Sequence, residues 1–403
     1  MPSRQLAVVL VALSTAAAPP FLVGALAAGI DRDLGMSASA VGFAVGLCYL
    51  VAAAVCTVAG PWVDRIGAAA ALRVTFVASS VALAVLAAAP GPGVITVGLL
   101  LQGFPVALSQ PAANLVLSAL PPGRRRGLYF GIVQAAIPAS ILVSGLMLGT
   151  VAGSWGWRTA FVLVAVLAAL GAFVVRVPEP VAAATASGPT GPVTEPSRAC
   201  LVLLGLGGLL GSATATVLPA FAASAALDGG LDPGTVGTGI VVAGLACVGC
   251  RVTASWLAGH VTPPRAVAGL GLLLASGVLG YAGLAVVDGP AFLVFVAIGY
   301  GLGWGWPGVF NLAVTAARPR SVGAMTGRSQ AALFAGGMLG PTAFGIAVDR
   351  AGYPAAWAGV GVLALLGAAC FALAALLWRS QAAWGGAPAS ELNGTQAPSA
   401  ARP

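Results

Sequence analysis

The sequence predicts an all-α membrane protein of twelve transmembrane helices in two six-helix bundles. Three observations carry that prediction. The first is composition: 59% of the 403 residues are hydrophobic and 7% are charged, against about 25% charged in soluble domains. So little charge cannot cover a water-facing surface. The second is the recurrence of apolar runs of about 20 residues, each long enough to cross a hydrocarbon core of about 30 Å as a helix. The third is an internal repeat. Gly127–Ala136 (GLYFGIVQAA) matches Gly323–Ala332 (GAMTGRSQAA) at an offset of 196 residues, which also superposes Arg124 on Arg320, Gly103 on Gly299, Pro111 on Pro307 and Gly156-Trp157 on Gly352-Tyr353. A constant offset over three helices implies duplicated bundles related by an axis along the membrane normal, with a site at their interface near mid-membrane.

In chain order the runs place spans at 6–29, 38–60, 71–89, 93–118, 128–151 and 159–176, then at 199–222, 235–257, 266–287, 291–315, 326–347 and 355–378. The first is too long for a signal peptide, lacks a clear small-residue cleavage site and leads into further spans. Residues 1–176 form the N-terminal bundle and 199–379 the C-terminal one. Between them, residues 177–198 (VPEPVAAATASGPTGPVTEPSR) lack an apolar run and read as a flexible cytoplasmic linker. Residues 380–403 read as a disordered cytoplasmic tail, so the glycosylation pattern at Asn393 carries no weight. Gly and Pro inside the spans are ordinary for membrane helices. Small residues such as Gly299, Gly301, Gly303 and Gly305 allow close helix approach. Pro20, Pro111, Pro138, Pro219, Pro307 and Pro341 bend helices around a cavity.

Charge sets the orientation. The net charge is +8 and every basic residue is Arg, which suggests a GC-rich bacterial source. With both termini inside, thirteen Arg fall on the cytoplasmic side and three (Arg32, Arg158, Arg350) outside, a strong positive-inside bias. The scatter of Arg over many loops argues against nucleic-acid binding. The six Cys lie in or beside apolar runs. Cys247 and Cys250 form a CxxC without a second ligand pair, which reads as helix packing rather than a metal or redox site.

The loop between spans 2 and 3 reads Gly60-Pro-Trp-Val-Asp64-Arg65-Ile-Gly67, followed by Arg73. It resembles the signature GxLaDRxGxrR of the major facilitator superfamily. Gln102-Gly103, Gly-Trp157-Arg158-x-Ala-Phe161 and Gly340-Pro341 are similar to the same family, and the resemblance spans about residues 1–380. It implies a gating charge network at the cytoplasmic face that includes Asp64, Arg65 and Arg73, framed by Gly60 and Gly67. The plainer reading is that Arg65 and Arg73 anchor topology and Asp64 caps a helix. The second copy of the loop, Trp256-Leu-Ala-Gly-His260, has no Asp–Arg pair, and His260 at a helix end reads as interfacial. Three features depart from the pattern: Leu99 stands where many members carry Arg, no Asp or Glu lies inside a span, and Ser144-Gly145 replaces the Gly-Pro typical of drug antiporters. The GWGWP run and span 5 resemble the cyanate and small-anion permeases.

Arg251 is the most informative intramembrane residue. A charge at mid-bilayer costs about 2.5–3.5 kcal/mol on insertion scales, so it needs a partner or a cavity. With no acid inside a span, a substrate anion is one candidate partner. Snorkelling or bonding to carbonyls is the other. Arg328 poses the same question nearer the water. Gln110, Asn114, Gln134, Asn311 and Gln330 either orient a polar ligand or hydrogen-bond neighbouring helices. Tyr300, Trp304 and Trp306 either wall a pocket or pack.

These readings point to a gradient-driven transporter of a small solute, an organic or inorganic anion first, working by alternating access in a bacterial plasma membrane. Efflux of amphipathic drugs or metabolites is the first alternative and a non-transporting membrane receptor the second. A bilayer enzyme would need clustered titratable groups. The Gly205-x-Gly207-Gly208 cluster has no preceding strand, and no Walker sequence is present. The expected partners are the lipid bilayer and the solute, with no cofactor, metal, ATP or nucleic acid, and the expected state is a monomer.

Overall fold

The computed structural model describes residues 3–36, 38–120, 124–147, 155–175, 195–231 and 233–384, and these are all helix and short connections. In order they form α1 (Ser3–Ala25), α2 (Ala27–Leu34), α3 (Ala38–Ala87), α4 (Pro92–Ser118), α5 (Arg124–Gln134), α6 (Ala136–Met147) and α7 (Trp157–Val174). There follow α8 (Arg198–Asp228), α9 (Pro233–Ala258), α10 (Pro263–Val286), α11 (Ala291–Ile298), a π-helical turn (Gly299–Gly303), α12 (Pro307–Ala317) and α13 (Val322–Trp384). Among the described residues, ten helical stretches are long and apolar enough to cross a membrane. One of them, Phe43–Ala87, runs for 45 residues and is interrupted at Gly67.

Glycines set the breaks. Gly67 (φ 80°, ψ 162°) interrupts α3 and Gly352 (φ 78°, ψ 172°) interrupts α13. A side chain would be strained at these φ values, whereas glycine adopts them freely. Gly156 (φ 79°, ψ 157°) precedes α7 in the same conformation as Gly352. The two are 196 residues apart, so the sequence repeat is also a repeat of backbone geometry.

Several boundaries differ from the sequence reading. Residues expected to form span 10 divide into α11, the π turn and α12, because Pro307 has no N–H to continue the ladder. Span 5 divides at Ala135, between α5 and α6. Arg198, assigned to the linker, is the first residue of α8, and 380–384, assigned to the tail, continue α13. The rest of the tail and linker residues 177–194 lie outside the described residues.

Two hydrophobic cores form. One runs from Val8 to Val175 and the other from Cys200 to Trp378. Inside each, glycine lets large side chains close in: Gly171 faces the Phe76 ring, and Gly207 faces Phe371. The outer surface is apolar, with Phe173 84% and Val286 80% exposed, a pattern that suits lipid and not water as the solvent.

Candidate functional site at the junction of the two cores

The two cores meet along two glycine seams. Gly323 and Gly327 of α13 face Gly60 and Cys56 of α3, and a Cβ on either would meet main-chain atoms of α3. Gly127 and Gly131 of α5 face the main chain of α9 between Arg251 and Gly259 in the same way. The glycine pairs stand 196 residues apart, so one crossing is the repeat of the other. Gly308 of α12 completes the second seam against Ser255 and Gly131. Small residues at helix crossings in lipid allow backbone approach and good dispersion contact.

A carboxylate closes one seam. Asp64 accepts hydrogen bonds from the main-chain N–H of Gly323 (2.6 Å) and Ala324 (2.8 Å) at the first turn of α13. Those N–H groups have no partner within their helix, and the helix dipole favours an anion there. Asp64 is thus a helix cap, but of a helix in the other core. Its neighbour Arg65 is exposed. Arg73 donates to Val175 O (3.0 Å) and stays within its own core. Gly60 packs in the seam, and Gly67 is the backbone break. In the second seam Gly259 faces Gly127 where Asp64 faces Gly323, and His260 next to it is exposed and turned onto Trp256.

A polar layer lies between the seams. Asn114 Nδ2 donates to Asn311 Oδ1 (2.8 Å) and Thr326 Oγ1 (3.3 Å), and Gln330 Nε2 donates to the same Asn311 oxygen (3.0 Å). Asn311 in turn donates to Pro307 O (2.9 Å). Three amides expected as candidate ligands are therefore joined to one another, all buried. Arg126 adds a bridge to Thr315 (3.2 Å).

Arg251 is fully buried. Its Nη1 donates to Gln134 O (2.7 Å), its Nε to Trp304 O (3.1 Å), and its guanidinium carbon lies 5.0 Å from the Trp304 ring centre. The partners are main-chain carbonyls on the other core's α5 and on the residue that ends the π turn. Carbonyl bonding, one of the two readings open from the sequence, is what the structure shows. Among the described residues the ion pairs are Arg158–Asp33 (3.2 Å) and Arg318–Glu195 (2.8 Å), so no carboxylate neutralises Arg251. Tyr300 packs on Trp304 with ring centres 5.8 Å apart, both buried. The Gln134 carboxamide is buried with neither atom partnered, and Gln110 Oε1 is likewise unpartnered. Arg328 is exposed.

Sequence reasoning missed the seams, Ser255, Thr315 and Thr326. The Gly-x-x-x-Gly spacing at 127/131 and again at 323/327 was the available signal. The hydroxyl residues had none.

Comparison with known proteins agrees with this architecture. The structure is similar to the human organic anion transporter MFSD10 (TETRAN), with a TM-score of 0.74 at 15% identity over 92% of this chain and 100% of that one. It is similar to the transporter FucP in its outward conformation, with a TM-score of 0.67 at 15% identity over 93% and 98%. It also resembles the proton:xylose symporter XylE, with a TM-score of 0.67 at 14% identity over 94% and 95%. At these identities the likeness is one of fold. Uncharacterised MFS-type transporters of Burkholderia mallei and Burkholderia pseudomallei are 36% identical over 98 residues, 24% of this chain and 24% of each relative. Residues 6–327 match the family model of the Major Facilitator Superfamily, and the chain belongs to that superfamily of multi-pass membrane transporters.

Proposed function

We propose that this chain is a secondary active transporter that moves a small organic or inorganic anion across a bacterial plasma membrane by alternating access. The observation that carries the substrate class is Arg251: a buried guanidinium at the junction of the two cores with no carboxylate partner among the described residues. An unneutralised cation in a low-dielectric site attracts an anion.

Twelve spans follow from the ten apolar stretches when one is divided and one further helical segment is added. Phe43–Ala87 would measure about 67 Å as one straight helix, twice a hydrocarbon core, so Gly67 divides it into two crossings. Residues 124–147, α5 and α6 together, supply another. The two cores are then two six-helix halves, residues 1–176 and 199–379, that rock about their junction. The Asp64 end, rich in Arg, is the cytoplasmic one. The seams there and the Asp64 cap serve as the cytoplasmic gate, closed in this conformation.

Uptake of labelled anions into proteoliposomes, comparing the native protein with Arg251→Ala, tests the proposal. We expect saturable anion uptake and at least a hundredfold loss in the variant, the scale of a lost charge-assisted contact of about 3 kcal/mol. Transport of a neutral lipophilic compound that survives Arg251→Ala, with no anion competing, would establish amphipath efflux instead.

A further inference from the structure

Arg251 is held by a carbonyl that its own helix cannot satisfy. In an unbroken helix Gln134 O would accept from the N–H of residue 138. Residue 138 is proline and has no N–H, so this one bond is missing from a ladder that otherwise continues through Ala135 N–H to Gly131 O (3.0 Å) and Ala139 N–H to Ala135 O (3.0 Å). The orphaned carbonyl takes Arg251 Nη1 at 2.7 Å, across the junction of the cores. The repeat does not share this device. Position 334, equivalent to 138, is Phe, and Gln330, equivalent to Gln134, has its amide bound to Asn311. The Gln134 carboxamide meanwhile is buried with both atoms unpartnered.

We propose that this bond is a substrate-operated latch and that it selects monoanions. The inference rests on the anion-transport reading and deepens it. An incoming oxyanion takes Nη1 from Gln134 O, with the free carboxamide available as a second donor, and so removes a bond that joins the halves. A neutral acceptor offers Arg251 no more than the carbonyl already gives, and withdrawal would strand that carbonyl in a water-poor site. Only a full negative charge outcompetes it. The site balances one charge. Arg328 is exposed, and Arg126 precedes Gln134 by two turns of α5, about 12 Å along the helix, so neither lies beside the Arg251 guanidinium and a dianion would leave a buried net charge uncompensated.

Pro138→Ala isolates the latch. The new N–H gives Gln134 O a partner within its helix, so releasing Arg251 no longer strands it, while Arg251 itself is unchanged. The measurement is binding of benzoate, nitrate and formate to the purified full chain in nanodiscs, against sulfate, succinate and the neutral isostere benzamide. We expect monoanions to bind the native protein, to bind Pro138→Ala about tenfold more tightly, and to bind the control Pro105→Ala as they bind the native protein. Sulfate, succinate and benzamide should bind neither. Pro138→Gly supplies the same N–H should the Ala variant fail to fold. In otherwise native protein, thiol labelling of Ser255→Cys, buried in the second seam, should rise when benzoate is added. Arg251-dependent monoanion binding with unchanged affinity in both position-138 variants would overturn the latch and leave anion transport standing. Equal binding of sulfate or benzamide would overturn the monoanion filter. If no anion in the panel binds any variant, both the latch and the anion reading fall.

Discussion

Asp64 draws its partner from the other core: two main-chain N–H groups at the start of α13. Replacement by Asn keeps the shape and one acceptor oxygen but removes the charge that the helix N-terminus favours. Because Asp64 is exposed, screening limits the loss to roughly 1 kcal/mol, about a fivefold shift toward the state with this end open. Thiol labelling of Ser255→Cys in the Asp64→Asn background should speed up accordingly; an unchanged rate would mean the cap holds nothing closed. The residue itself was legible from its loop motif, but its partner was not, because main-chain donors carry no sequence signature. Arg251 was legible as a buried charge in need of a partner. That the partner is Gln134 O follows from Pro138 four residues on, a signal that becomes readable only once α5 and α9 are known to touch.

The seams belong to the scale of elements. Gly127/Gly131 and Gly323/Gly327 bring α5 onto α9 and α13 onto α3 with main chain against main chain. Gly327→Ala places a methyl group against Cys56 O and Gly60, an overpacking worth about 1–3 kcal/mol. It should hold the Asp64 end open and cut transport at least fivefold, while detergent-solubilised yield and monodispersity stay near native. Native transport rates in Gly327→Ala would show that the seam need not close. The repeat explains why both seams exist, and the differences between copies show where each is secured: the α3–α13 seam by Asp64 at its end, the α5–α9 seam by Arg251 farther in. Helix existence and the repeat were legible because hydropathy and offset are periodic properties. The divisions at Ala135 and at the π turn were not, because each depends on how neighbouring helices absorb a lost hydrogen bond.

At the scale of the whole molecule, two cores share one junction, and the inter-core hydrogen bonds described above run from the depth of Arg251 to the Asp64 end. At the opposite end a polar cluster ties the first core to itself. Asp33 accepts from Trp157 Nε1 (2.8 Å) and pairs with Arg158 (3.2 Å), wholly inside the first core. Among the described residues, the hydrogen bonds of Arg251, Asn114, Arg126 and Asp64 join the cores from mid-depth to the Asp64 end, an arrangement that suits rocking of two bodies. The central claim is therefore reciprocal motion, and one measurement tests it: spin-label distances in lipid for Ser118–Ser321 at the Asp64 end and for Trp155–Asp288 at the other, with and without benzoate. The account predicts that the first distance lengthens while the second shortens. Two distances that stay fixed, or change in the same direction, would contradict it.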